Sequence, residues 1–466
     1  MKNRIYIQDL EKHIDSSITI AGWVSVRRDH GKLIFIDVRD ETGKVQVVVT
    51  PKNAEALAVA NTLRSEWVIT LTGLIKKRPD NLVNEGEQNG ALECVAESIT
   101  VLAEATTPPF DLTQDTMGLN EETRLAYRYV DLRSARMQKN IRIRSEFVQK
   151  CREYLFKQGF VEIETPLLTQ STPEGSRDFL VPSRHAPGNF YALPQSPQQY
   201  KQLLMTSGFE KYFQLARCVR DEDLRADRGY EHTQLDFEMS FVTRDEVMDT
   251  IEGMITFVME SLGKTIKQKP FPRITYAEAM KTYGADKFDM RTPEEKEKGI
   301  LAYAWVTDFP FFEKTDDGKW TFTHNPFSMP REDHLESHMK GENIENIVTQ
   351  QYDLVCNGFE TGGGSIRAHR PEILEATYKI MGYTPEQIKD SVGHMLEAFS
   401  HGVPPHGGIG LGIERGVMIA TGESYLREVQ AFPMTGKGKT AVMHAPGPID
   451  PIVLRDLGLS VLKKKE

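Results

Sequence analysis

Three short stretches of this chain bring together residue types that handle phosphate, carboxylate and divalent cations. In FQLARCVRDEDLRADRGYEHTQLDFEMSF (213–241), two runs of strand character flank a loop crowded with charge, as in a long hairpin. Arg220 closes the first run and Glu222 follows it. That pairing suits a nucleotide phosphate and its metal or base, because guanidinium forks bind phosphate oxygens two at a time. A charged hairpin tip is also what solvation alone produces, and the stretch by itself leaves both readings open. In YDLVCNGFETGGGSIRAHR (352–370), a strand would carry Glu360 toward Mg2+ and Arg367 toward an anionic ligand. A buried structural Arg–Glu pair is the competing reading. In PPHGGIGLGIERGVMIATG (404–422), glycines let the backbone approach a ligand closely, and Arg415 falls where a helix begins. The spacings of the dinucleotide and Walker phosphate loops are absent, so a tight helix–sheet contact is the alternative there.

These residues need a scaffold, and 466 residues are more than one compact core usually holds. Residues 17–102 predict five strands (SITIAGWVSV, LIFIDVR, KVQVVVT, WVITLTGLIK and LECVAESITVL), with a helix over about 53–64 between the third and fourth. That order is that of a small Greek-key barrel of the OB type, a fold that often binds oligonucleotides on one face. The stretch from 105 to 135 reads as a linker, because TTPPFDLTQDTMG (106–118) pairs prolines with polar residues. Residues 136–160 have helical periodicity and stop at Gly159. Strand-like runs then arrive next to one another rather than in strict alternation with helices, which predicts a mainly antiparallel sheet flanked by helices. The fold class is therefore multidomain α+β: a barrel over 1–104 and an antiparallel-sheet domain over 136–466.

The bulk composition is compatible with this and excludes other classes. At 39% apolar and 27% charged the chain reads as an ordinary globular one, with no apolar run of membrane-spanning length, and MKNRIYIQDL lacks the apolar stretch expected of a secretory signal. A net charge of −10 argues against coating nucleic acid indiscriminately, but leaves room for local basic clusters at Arg27, Arg28, Lys32 and at Lys76, Lys77, Arg78. Cys94, Cys151, Cys218 and Cys356 are scattered, so no zinc site or disulfide framework is expected, and a reducing cytoplasm fits.

Taken together and in this order, the three stretches resemble the class II aminoacyl-tRNA synthetases. GFVEIETPLL (159–168), with Pro166, is similar to motif 1, which builds the homodimer interface in that family. The 213–241 stretch is similar to motif 2, and GLGIER (410–415) to motif 3. TPEGSRDFLVPSR (172–184), LPQSPQQYKQLLM (193–205) and NGFETGGGSIRAH (357–369) resemble the bacterial aspartyl-tRNA synthetase family in particular. The resemblance implies ATP-dependent adenylation of L-aspartate, then transfer to the terminal adenosine of tRNA(Asp). It implies that Arg220 bridges the substrate carboxylate and the α-phosphate, and that Arg415 holds the γ-phosphate. Asp353 and Glu360 would hold Mg2+, with Asp221, Glu222, Gly412, Ile413 and Glu414 completing the ATP site. Lys201 and Arg367 would clamp the side-chain carboxylate of aspartate, while Glu174, Ser196, Gln198 and Asp236 orient its amino end and neighbouring groups. His324 matches a mobile-loop histidine. In the barrel, Arg28, Phe35, Gln46 and Glu93 match anticodon-reading positions, with Phe35 as a stacking face.

The chain departs from the family pattern in several places. His232 stands where phenylalanine is common, Gly229 where a polar residue is common, Asn325 where a second histidine is common, and Glu414 where aspartate precedes the motif 3 arginine. The sizeable domain that bacterial relatives insert between motifs 2 and 3 is missing near 291–299. Asparagine- or lysine-specific ligases are the nearest alternative, and Lys201, Arg367 and QSPQQYKQ weigh against them. A tRNA-independent asparagine synthetase of the related fold would have no use for the barrel, and a degenerate tRNA-binding paralogue would have lost Arg220, Glu360 or Arg415. His30, in the presumed anticodon loop, is the residue type that relatives charging both tRNA(Asp) and tRNA(Asn) often carry, which favours the relaxed form.

Overall fold

A computed structural model describes residues 3–171 and 175–462. The chain forms two compact units, Met1–Ala135 and Arg136–Glu466.

In the first unit, strands β1 (Ser17–Asp29), β2 (Ile34–Arg39), β3 (Lys44–Val49), β4 (Val68–Lys77) and β5 (Leu92–Ala103) close into a barrel of order β1-β2-β3-β5-β4. Only β3 and β5 run parallel. Alternation explains the closure: Ile34, Ile36 and Val38 of β2 point inward with Val45, Val47 and Val49 of β3, so each strand buries one face. Each such side chain contributes roughly 1.5–3 kcal/mol by leaving water. The helix Ala54–Thr62 follows β3 and starts where the Asn53 side chain accepts from the Ala56 amide at 3.1 Å.

The passage 105–135 is more ordered than its composition predicts. Helices Glu121–Ala126 and Arg128–Asp131 fold around the fully buried Asp131 carboxylate. That carboxylate accepts from Arg128 Nη1 at 2.6 Å and from the Thr116 hydroxyl at 2.6 Å. The charges that make the sequence look like solvated linker are spent on one another inside the fold.

The second unit is built on β6 (Val161–Glu162), β7 (Leu180–Pro182), β8 (Phe190–Ala192), β9 (Lys211–Val219), β10 (Glu231–Ser240), β11 (Arg273–Thr275), β12 (Tyr303–Thr307), β13 (Phe312–Lys314), β14 (Trp320–Phe322), β15 (Gln351–Cys356), β16 (Phe359–Ile366) and β17 (His406–Gly412). Eight of these make one sheet of order β11-β12-β15-β16-β17-β10-β9-β6, antiparallel throughout except at its two outer pairs. The pairs β7–β8 and β13–β14 form separate ribbons. The helix Arg244–Ser261 begins with a Thr243–Glu246 capping box and lays Val247, Ile251, Met254, Ile255 and Val258 into the core. The helix Ala135–Lys157 contributes Phe147, Cys151 and Leu155 to the same core, and Gly159 beyond it has φ +80°. Glycines of β16 and β17 face one another: a Cβ on Gly364 would run into the Gly408 carbonyl oxygen, so only glycine allows this strand contact.

Candidate active site and nucleic-acid face

A cleft of about 450 Å³ opens over β10, β16 and β17, large enough for a nucleotide. Ser196, Gln198, Lys201, Arg220, Glu222, His324, Glu360, Arg367, Gly412, Glu414 and Arg415 all line it, although the first and last of them are more than two hundred residues apart.

One group in the cleft is a four-charge cluster. Lys201, from the helix Gln198–Thr206, places Nζ 2.7 Å from Asp236 Oδ1 and 3.2 Å from Glu238 Oε2. Arg367, following β16, grips Glu238 two-pronged at 2.8 and 3.1 Å and donates to the Ser365 hydroxyl and the Gly408 carbonyl. All four charged residues are buried. Glu238 was not singled out from sequence. Its signal was its spacing: two residues after Asp236 on one strand puts both carboxylates on one face. The buried Arg–Glu pair considered for Arg367 therefore exists, with Glu238 as its acid rather than Glu360. Burial works against Glu238's charge, yet Arg367 and Lys201 hold its carboxyl below the ordinary range. Burial lifts Asp236 above its ordinary value, and its Oδ2 has no partner among the described residues. Gln198 likewise carries a buried amide nitrogen without an acceptor.

A second group is rich in arginine. Arg220, at the end of β9, is aimed by its Nε–H, which donates to the Gln195 carbonyl at 3.2 Å. Glu222 pairs with Arg228 at 2.9 Å. Arg415, in the first turn of the helix Ile413–Thr421, donates to the Glu360 carbonyl and, at 3.2 Å, to Asp227. Its buried Nε has no partner among the described residues. His232 of β10 is neutral: burial, and then the charges of Arg220, Arg415 and Arg217, push its pKa down to about 3. A neutral aromatic ring among cations is a face on which a base can stack.

Glu360 and Asp353 come from the neighbouring strands β16 and β15. Glu360 is paired with Lys287 at 2.8 Å, and Asp353 with the His324 ring at 3.3 Å. Burial disfavours the imidazolium, but the charge of Asp353 outweighs it and holds His324 above its ordinary value.

Asp221, Ile413, Asp236 and Asp353 are not part of the cleft lining. Asp221 turns to Arg177 at 3.3 Å. The Ile413 side chain belongs to the hydrophobic core, so only its backbone can serve a ligand. Asp236 and Asp353 stand behind Lys201 and His324. Glu414 borders the cleft but spends its oxygens on Arg144 at 2.8 Å and the Thr233 amide at 2.9 Å, a role in tying the helix to β10. Glu174 lies outside the described residues.

In the barrel, Arg28, Phe35, Gln46 and Glu93 fall on one outer face, because Arg28 opposes Phe35 and Gln46 opposes Glu93. Phe35 is half-buried and points away from the core that Ile34 and Ile36 enter. His30 meets its edge at 5.3 Å. Asp37, which the sequence did not flag, holds Arg28 at 2.9 and 3.1 Å, with Gln46 beside it at 3.4 Å.

Comparison with known proteins agrees with this architecture. Residues 120–436 match the family described as tRNA synthetases class II (D, K and N), and residues 18–102 match the OB-fold nucleic acid binding domain. The chain is 37% identical over 573 aligned positions to the aspartate–tRNA(Asp/Asn) ligase of Rubrobacter xylanophilus, covering 96% of this chain and 95% of that protein. It is 36% identical to the aspartate–tRNA ligase of Listeria welshimeri, covering 98% of each. Since 573 aligned positions exceed the 466 residues of this chain, at least 107 of them have no counterpart here. Among solved structures, asparaginyl-tRNA synthetase from Pyrococcus horikoshii aligns with a TM-score of 0.75 at 22% identity, over 93% of this chain and 99% of that one. Aspartyl-tRNA synthetase from Entamoeba histolytica aligns with a TM-score of 0.73 at 24% identity, over 92% and 91%. These two likenesses concern the fold. By sequence relationship and by architecture, this chain belongs to the aspartate–tRNA ligases, within the class II tRNA synthetases (D, K and N).

Proposed function

We propose that this chain attaches L-aspartate to tRNA in two steps, with ATP as co-substrate. In the first, an oxygen of the aspartate α-carboxylate attacks the α-phosphorus of ATP, the bond to the β-phosphate oxygen breaks, and pyrophosphate leaves. In the second, a hydroxyl of the terminal adenosine of tRNA attacks the acyl carbon and AMP leaves. The observation that carries the reading is the buried cluster of Lys201, Arg367, Asp236 and Glu238 in the cleft. Its two cations, which line the cleft, would take the side-chain carboxylate, and Asp236, behind Lys201, would orient the groups around the substrate's amino end. An asparagine side chain would face those donors with another donor. Arg220 would steady the charge that grows on the α-phosphate, Arg415 would hold the far phosphate, and the neutral His232 would lie against adenine. Ser196, Gln198 and His324 would close around the amino acid.

Mg2+ takes one or two carboxylates together with substrate phosphates. Glu360 lines the cleft and fits that role, with Asp353 on the adjacent strand behind His324 as the second carboxylate. They would hold the ion only jointly with ATP, where it neutralises phosphate charge.

For the barrel we propose anticodon reading by Arg28, His30, Phe35, Gln46 and Glu93. Phe35 offers the stacking face and Arg28, fixed by Asp37, reads a base edge. His30, at the edge of Phe35, is the residue type that relaxed relatives often carry, and on that resemblance we propose acceptance of tRNA(Asn) beside tRNA(Asp). We further propose a homodimer through the outer edge at β6, where Phe156, Val161, Leu167 and Leu168 expose about half their surface. The missing positions would fall in the short passage 291–299, and the reaction would run in the cytoplasm. No helix of the described residues is long and apolar enough to cross a membrane.

The test is ATP-dependent attachment of labelled aspartate to transcripts of tRNA(Asp) and tRNA(Asn), with labelled asparagine as control. Charging of both tRNAs is expected. Charging of tRNA(Asp) alone would refute the role given to His30, and charging of neither would refute the proposed function.

A further inference from the structure

Lys287 is a cation of the cleft that none of the roles above uses. It lies in the passage GADKFDMR, just before the point where the chain is shorter than its relatives, and it lines the same cavity as Arg220, Glu360 and Arg415. Its ammonium is 2.8 Å from Glu360 Oε2, while Arg415 donates to the backbone carbonyl of the same glutamate. Glu360 is thus held by two cations, one at each end of the residue.

The segment bearing Lys287 is fixed by its own anchors. Phe288 is buried and stacked on Tyr283 at 4.2 Å, and its carbonyl accepts from the Gly358 amide at 3.0 Å. Asp289 then grips Arg291 at 2.9 Å through both oxygens. A lysine between such anchors, its side chain 46% exposed, has a fixed root and a head that reaches the open side of the cleft. Of the groups facing that head, Glu360 is the one the proposed chemistry would hand to a divalent cation. Once it is handed over, the ammonium loses its partner and stands beside the phosphates that Arg415 holds.

We propose that Lys287 binds the pyrophosphate half of ATP, keeping Glu360 in place before ATP enters and contacting the β- and γ-phosphates afterwards. The proposal rests on the ATP site described above. It is tested by equilibrium binding of ATP, AMP and inorganic pyrophosphate to the full chain with Mg2+ present, for the parent, Lys287→Met and Lys287→Arg. Loss of one charge-assisted contact predicts roughly ten-fold weaker binding of ATP and pyrophosphate to Lys287→Met, with AMP unchanged. Lys287→Arg should stay within about three-fold of the parent, since it keeps the charge and the reach. Equal effects on ATP and AMP, including no effect on either, would overturn the assignment. A parent protein that binds no ATP would strike down the proposed function itself, and the role of Lys287 with it.

Discussion

Replacing Lys201 with methionine tests the charge balance on which the proposed aspartate pocket depends. In the parent, two cations face two carboxylates, and Lys201, Asp236 and Glu238 are all at most 2% exposed at their side chains. Lys201→Met removes one cation and leaves a net charge of −1 in a dry place. Glu238 keeps its two-pronged contact with Arg367, so the loss falls on Asp236, whose Oδ1 loses its ammonium. Breaking a buried pair in this way costs about 3–5 kcal/mol. Part of that cost is escapable, because Asp236, already lifted by burial, can take up a proton. A carboxyl whose folded pKa lies above its unfolded value loses stability as pH rises from the unfolded value to the folded one. The variant should therefore be closer to the parent at pH 5 than at pH 8. Adding Asp236→Asn restores the balance of one cation to one anion and should recover about half or more of the loss. Urea unfolding, followed by tryptophan fluorescence at both pH values, measures this. The double variant should still fail in aspartate-dependent exchange of pyrophosphate into ATP. A loss below about 1 kcal/mol for Lys201→Met, or no recovery in the double variant, would refute the buried charge balance on which the proposed pocket depends.

Three further outcomes are expected. Arg220→Ala should lower kcat for pyrophosphate exchange by about 10²–10³-fold, as loss of a preorganised donor does, and a change confined to KM would contradict its placement at the reacting phosphate. His232→Phe should flatten the acid side of the stability profile. The parent ring, held at about 3 against an ordinary 6.5, is uncharged when folded and destabilises the fold as pH falls from 6.5 toward 3. Urea midpoints at pH 6.5 and 4.5 that move in parallel for both proteins would count against this. Asp289→Asn should loosen residues 284–300, because the Arg291 and Lys296 contacts that outweigh burial and hold the carboxyl at about 2 would be lost. New cleavage within that passage under limited proteolysis is the expected sign, and an unchanged fragment pattern the contrary one.

The barrel was legible because each strand buries a single face, so Ile34, Ile36 and Val38 announce the inside while Phe35 is left for the outside. The sheet of the second unit was legible in kind but not in detail. Its inner strands β12 and β15 are buried on both faces and carry no alternation to read. The two short helices within 121–131 were not legible, since charges that pair in the interior look the same in sequence as charges facing water. The same limit hid Glu238 behind Asp236, and Asp37 behind Arg28. Lys287 had no local signal at all. Only the fold brings it to Glu360, 73 residues further along the chain.

The short helix Pro293–Glu297 and the turn after it have a consequence for engineering. The chain on either side is clamped separately: Asp289 and Arg291 before it, and the Asn357 side chain on the Ala302 amide after it. A Cβ built on Gly299, whose φ is +65°, would meet nothing within 4 Å, so this turn faces open space. The passage therefore behaves as a socket with two fixed rims. A folded domain whose ends lie close together could be spliced between Lys298 and Gly299 while the cleft keeps its geometry. The protein would then serve as a carrier on which reporters, affinity modules or the relatives' own additional residues can be exchanged like cartridges.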